Sequence, residues 1–283
     1  MSNIEEILAL VQKDSHQNGT DLRAYQLRGI HLKGVNFINA TLIQTDLQES
    51  ALIKIDFSQA NMTAANFQNA KIKDVQFNDA NLNEVNFQDA TLVNCVFRNA
   101  SLQNANLSSA LIKNCDFKGC DLGHANLSSS RIGDTNFAFA RMMYAYLRQV
   151  EIAHSKMNGI NARGSDFSFS KLAGVDLTGS SLKYADLNSC AFKNVDLSHA
   201  NLVGVELKDS HCTDITLKEA NMEGADLTYA NMKGSNLENT FMLEANLHAT
   251  DFTNANLKDA YLVDANLTKV ITQGANLENT ILQ

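Results

Sequence analysis

The sequence predicts an all-β solenoid with four short sides per turn. Three observations carry that prediction: an unbroken five-residue repeat, a second inward position two residues before the first, and phenylalanines spaced by twenty. Every fifth residue from Leu22 to Leu282 falls on one register of 53 positions, and 50 of these are Leu, Ile, Phe or Met. The exceptions are Ala162, Cys212 and Thr272. The immediately preceding register holds those four types only at Leu111, Phe241, Ile271 and Ile281. A period of five fits neither the 3.6 of a helix nor the 2 of a long strand. It does fit a short extended segment with two inward side chains, followed by a corner.

Taken in chain order, residues 1–19 precede the repeat. Ser2 with Glu5 reads as a capping box, and Ile4, Ile7, Leu8 and Val11 form an apolar helical stripe. These predict a helix from about residue 3 to residue 13 lying over the first coil, with the solenoid itself over 20–283. Within each repeat, the site two residues before the large apolar one is Ala, Ser, Thr, Cys or Val in 48 of 53 cases, which suits a small inward partner. Between the two stands Asn or Asp in 28 of 53, as in ANLSS at 105–109. Of 14 glycines, 12 lie two residues after the large apolar site, so the corner is there, where positive φ is needed. Phe37, Phe57, Phe77, Phe97, Phe117 and Phe137 then define four repeats per coil and would stack in one column.

The A(D/N)LXX pattern from about residue 20 onward resembles the pentapeptide-repeat family. That resemblance implies a right-handed quadrilateral parallel β-helix, and 53 repeats at four per coil make about thirteen coils, roughly 60–65 Å long at one strand spacing per coil. Coil-to-coil hydrogen bonding would also explain why the chain contains no proline. Fold is specified this way, but function is not, because the motif residues build the interior.

Composition and motifs narrow the functional classes. The net charge of -8 argues against a direct nucleic-acid or anionic-membrane binder. No apolar run approaches a membrane-spanning length, and MSNIEEILALVQK carries no secretory signal, so a cytoplasmic location is expected, with signal-independent export left open. Cys95, Cys115, Cys120 and Cys190 occupy the small inward site and Cys212 a large one, which predicts buried structural thiols. The histidines of the repeat project outward without ligand spacing, and the abundant Asp residues are absorbed by the repeat. No phosphate loop, nucleophile elbow or dinucleotide fingerprint appears. No cofactor, metal or small-molecule substrate is expected, and no enzymatic activity.

Two outward surfaces stand out. The central coils carry Phe139, Arg141, Met143, Tyr144, Tyr146, Arg148, Arg163, Phe169 and Tyr184, a concentration of residue types that dominate binding hot spots. Gly164 separates Tyr144 from Tyr184 in one column, and Ala162 between Gly159 and Gly164 predicts a local indentation or bulge there. Near the C-terminus, normally polar outward sites hold Phe241, Leu243, Tyr261, Val263 and Ile281, a predicted apolar patch. No helix comparable to the first follows Leu282, so a second copy of the chain is expected to cover this end. Residues 91–200 carry 11 basic and 8 acidic groups, whereas 201–283 carry 5 and 12.

The reading that results is a non-catalytic protein-binding scaffold, a bacterial regulator, effector or secretion-associated adaptor, with an unnamed protein partner and a homodimer. The resemblance supplies an alternative: some pentapeptide-repeat proteins protect DNA gyrase or topoisomerase IV from drugs and toxins by imitating duplex DNA with an acidic, dimeric rod.

Overall fold

The computed structural model describes residues 3–282. The chain divides into two units, Met1–Arg141 and Met142–Gln283. In the first, helix α1 spans Asn3–Lys13, within the predicted bounds. Glu5 and Glu6 in its first turn and Lys13 in its last complement the helix dipole. Ser2 of the expected capping box lies outside the described residues. Ile7 is fully buried, Ile4 and Val11 half so, while Leu8 faces solvent. The helix is held by the Tyr25 hydroxyl, which donates to Glu6 Oε1 at 3.1 Å, and by the Gln26 N–H, which donates to Asn3 Oδ1 at 3.1 Å. The solenoid begins a little before the regular apolar register, because His16 already bridges Asn36.

One repeat shows why the sequence reads as it does. The Asn61 N–H donates to Ala40 O at 2.9 Å, Met62 N–H to Asn81 O at 2.8 Å and Ala64 N–H to Asn83 O at 2.9 Å. Ala65 N–H closes the corner on Met62 O at 3.0 Å. The fifth donor, Thr63 N–H, goes to the Asn61 side-chain Oδ1 at 3.2 Å. All five amides are therefore committed. Asn or Asp recurs before the large apolar residue because its side chain caps the one N–H that the backbone leaves over. Proline, which lacks that donor, has no comfortable position. Corner residues take φ near +55 to +70° whether or not they are glycine, as at Ala64 (55°) and Gly164 (64°).

Regular three-residue strands form on one wall of each unit. In the first unit these are β1 (His31–Lys33), β2 (Ala51–Ile53), β3 (Lys71–Lys73), β4 (Thr91–Val93), β5 (Leu111–Lys113) and β6 (Arg131–Gly133), consecutive ones being paired in parallel from β1 to β6. In the second they are β7 (Glu151–Ala153), β8 (Lys171–Ala173) and β9 (Ala191–Lys193). Among the described residues the first unit holds six strands and the second three, so the expectation of about thirteen coils needs correction as a count of strand-bearing turns. Beyond Lys193 the same wall is kept by single parallel bridges such as Ala191↔His211 and His211↔Asn231.

The core of the first unit is aromatic. Phe37, Phe57, Phe77, Phe97, Phe117 and Phe137 stack with ring centroids 5.5, 5.5, 4.6, 4.4 and 4.9 Å apart. Phe67 and Phe87 form a second column that meets Phe77 edge-on at 6.4 and 6.1 Å.

Candidate functional site

With the interior filled by motif residues, function is left to the outward columns, and the corner columns are the most exposed of these. In the second unit one corner column runs Tyr144, Gly164, Tyr184, Gly204. The Tyr144 ring sits against Gly164, where an added Cβ would come within 2.7 Å of its Cε1. Tyr184 covers Gly204 in the same way, at 2.6 Å. Tyr144 supplies the side chain that fills the space at Gly164, so the predicted gap between the tyrosines is closed. The expected indentation at Ala162 is also absent: Ala162 is buried, its N–H donates to Ser181 O at 2.8 Å, and Ser165 N–H closes the corner on Ala162 O.

Several predicted residues gather around this column. The Arg163 guanidinium stacks on the Tyr184 ring at 5.2 Å, and Met143 is one coil before Arg163 in the same column. At the next corner Arg148 stacks on Phe169 at 4.6 Å, with Tyr146 on the wall between the two corners. Tyr144, Phe169 and Tyr184 hold φ of 56°, 62° and 57°, a backbone region that disfavours bulky side chains. Phe139 and Arg141 belong to the first unit. There Phe139 lies 6.0 Å from Lys118 Nζ, and Arg141 pairs with Asp121 at 2.9 Å. Gly204 was missed by the sequence reading. The signal was present, since a glycine twenty residues after a corner side chain also meets Asn99 at Gly119 and Asp214 at Gly234.

A column of carboxylates borders the tyrosines. Asp166, Asp186, Glu206 and Asp226 follow one another through parallel bridges. Burial holds the Asp186 carboxyl above its ordinary range, and the charges of Asp166 and Glu206 add to the effect. Lys208 relieves the far end, at 3.6 Å from Glu206 and 3.3 Å from Asp226.

At the C-terminal coils the predicted apolar residues do meet. Phe241 and Tyr261 stack at 5.7 Å, Ile281 bridges Tyr261, and Leu243 with Val263 forms the neighbouring column. Leu267, Leu277 and Leu282, which occupy the core register, are 38, 48 and 54% exposed and line an apolar depression of about 210 Å³ with Leu257 and Leu262.

The repeat pattern matches the family model described as a pentapeptide repeat region over residues 30–107 and 110–187. A second model, pentapeptide repeats (8 copies), matches 170–209, 206–242 and 245–283. The chain belongs to the pentapeptide-repeat family. Among solved structures it is similar to HetL from the cyanobacterium Nostoc sp. strain PCC 7120, a pentapeptide repeat protein involved in heterocyst differentiation regulation. Identity is 23%, over 100% of this chain and 97% of HetL, with a TM-score of 0.28. Rfr23 from the cyanobacterium Cyanothece 51142 is 23% identical over 47% of this chain and 91% of its own, with a TM-score of 0.33. Trypsin-treated QnrB1, a plasmid-mediated fluoroquinolone resistance protein, is 18% identical over 80% and 88%, with a TM-score of 0.28. No curated sequence matches.

Pentapeptide-repeat proteins are generally non-catalytic, and the titratable interior here is structural in character. All five cysteines are buried and free. Burial pushes the Cys190 and Cys212 thiols up to about 12, and Cys120 higher still. Among the described residues no group of three His, Cys, Asp or Glu could hold a metal ion, and no helix is long and apolar enough to cross a membrane.

Proposed function

We propose that the chain is a non-catalytic protein-binding scaffold whose partner docks on the tyrosine corner of the second unit, around Tyr144, Arg163 and Tyr184. One observation carries the reading: two large aromatic rings occupy corners that favour glycine or asparagine, and each has a glycine beneath it to lie on. Aromatic rings pre-ordered in this manner lose little entropy when a partner covers them, and the stacked guanidinium adds a planar donor set. Phe169 with Arg148 extends the surface to the next corner. A pull-down from the native host tests this. Partners should be lost when Tyr144, Arg148 and Tyr184 are replaced together by Ala, and unchanged partners would refute the reading.

A second reading is favoured by the carboxylate column Asp166, Asp186, Glu206, Asp226, four acidic residues stacked on successive coils as a DNA mimic would present them to a topoisomerase. A gyrase supercoiling assay with added quinolone decides it. Neither inhibition nor protection at micromolar protein would remove the mimic.

A further inference from the structure

The net charge of -8 averages over walls that are not equivalent. In the first unit, the wall built by β1–β6 and the corner residue after each strand carries six cations, Lys33, Lys54, Lys71, Lys73, Lys113 and Arg131. It carries only two carboxylates, Asp74 and Asp134. The whole unit holds 12 basic and 14 acidic residues, so this wall is net positive while the rest of the unit is net negative. Segregation of this kind is invisible when charge is counted along the chain, because the wall recurs only every twenty residues.

The pairing register fixes the pattern. One outward column reads Lys33, Ile53, Lys73, Val93, Lys113, alternating cation and aliphatic residue coil by coil. The other holds Lys71, Thr91, Leu111 and Arg131. Ile53, Val93 and the stems of Lys71 and Lys73 enclose a shallow apolar depression of about 320 Å³. Leu111 is 45% exposed. Among the described residues none of the five lysines is joined to a carboxylate, although exposed lysines elsewhere on the chain are, such as Lys171 to Glu151 and Lys258 to Glu278.

We propose that this strand wall is a docking face for an anionic lipid bilayer. The wall is a sheet surface of short parallel strands, which suits a planar partner better than a convex duplex. Its cations are lysines apart from Arg131, and it carries no Phe, Tyr or Trp, so it is poor in the bidentate forks and stacking platforms that favour nucleic acid. Aliphatic side chains between phosphate-seeking lysines gain nothing on a nucleic-acid backbone. At the headgroup boundary they insert, while the longer lysines reach the phosphates. Each lysine close to an anionic leaflet strengthens binding by about fivefold, so five produce reversible, salt-sensitive attachment rather than permanent anchoring.

Co-sedimentation of the full chain with vesicles tests the proposal. Phosphatidylcholine vesicles containing about one third phosphatidylserine should retain the protein at about 0.1 M salt, and pure phosphatidylcholine should not. The variant Lys33→Glu, Lys73→Glu, Lys113→Glu changes only outward positions and should bind at least tenfold more weakly, with its thermal transition unchanged. Ile53→Asp with Val93→Asp should also weaken retention, by removing the inserting groups. Equal retention on both vesicles, no retention on either, or undiminished binding by the triple variant would overturn the proposal. So would tight binding to a short DNA duplex by a protein that ignores the vesicles.

Discussion

A corner residue in this repeat takes a positive φ, and the consequences differ by side chain. Glycine accepts it freely, asparagine nearly so, and an aromatic residue is held there at a cost on the order of 1 kcal/mol or more. Tyr184 at φ 57° is therefore predicted to be kept for binding rather than for stability. Tyr184→Asn should leave thermal stability unchanged or raise it by up to about 1 kcal/mol, yet abolish partner capture; a large loss of stability would contradict the functional reading. Asp186 shows the same tension in electrostatic form. A carboxyl raised by folding favours the native state only while protonated, and that advantage is lost as pH rises through the folded pKa. Asp186→Asn keeps an acceptor for the Asn188 N–H, bonded at 2.9 Å, and removes the charge. Its melting temperature should exceed that of the parent near pH 7, with the gain fading toward about pH 3, a comparison that calorimetry makes directly.

At the scale of the element, the interior was the most legible part of the sequence, because a fixed period makes every inward residue predictable from its number. The phenylalanine column was placed in advance for that reason. Phe77 is clasped by Phe57 at 5.5 Å and Phe97 at 4.6 Å, with Phe67 and Phe87 edge-on. Phe77→Ala should cost about 3–5 kcal/mol in chemical denaturation. The coil-to-coil amides are just as constrained. Asn86→Pro deletes the 2.9 Å bond from its N–H to Ala65 O and should cost roughly 3 kcal/mol, seen as a lower denaturation midpoint. Strand content was not legible from the period alone, because the same five-residue spacing gives a strand at Ala191–Lys193 and only a single bridge at His211. The candidate site was legible as a residue list but not as an arrangement. Nothing in the composition of residues 139–184 reveals that Tyr144 fills the space over Gly164, since that follows only from the direction in which a corner side chain lies.

For the molecule as a whole, surfaces follow wall and column rather than sequence thirds, which is why counting charge along the chain missed the lysine wall of the first unit. The stacked Phe241 and Tyr261, beside the exposed core leucines of the last coils, bear on the proposed homodimer. Light scattering on Phe241→Asp with Tyr261→Asp should give a monomer where the parent is a dimer, and a parent that is already monomeric would remove that proposal. Every surface described here depends on one geometric claim, that residues twenty apart are vertical neighbours. Paired cysteine substitution measures it most directly, since the native thiols are buried. Thr91→Cys with Leu111→Cys, whose backbones pair in parallel, should close a disulfide under mild oxidation, while Thr91→Cys with Asp116→Cys, five residues further round the coil, should not. Efficient closure of the second pair, or failure of the first, would contradict the account.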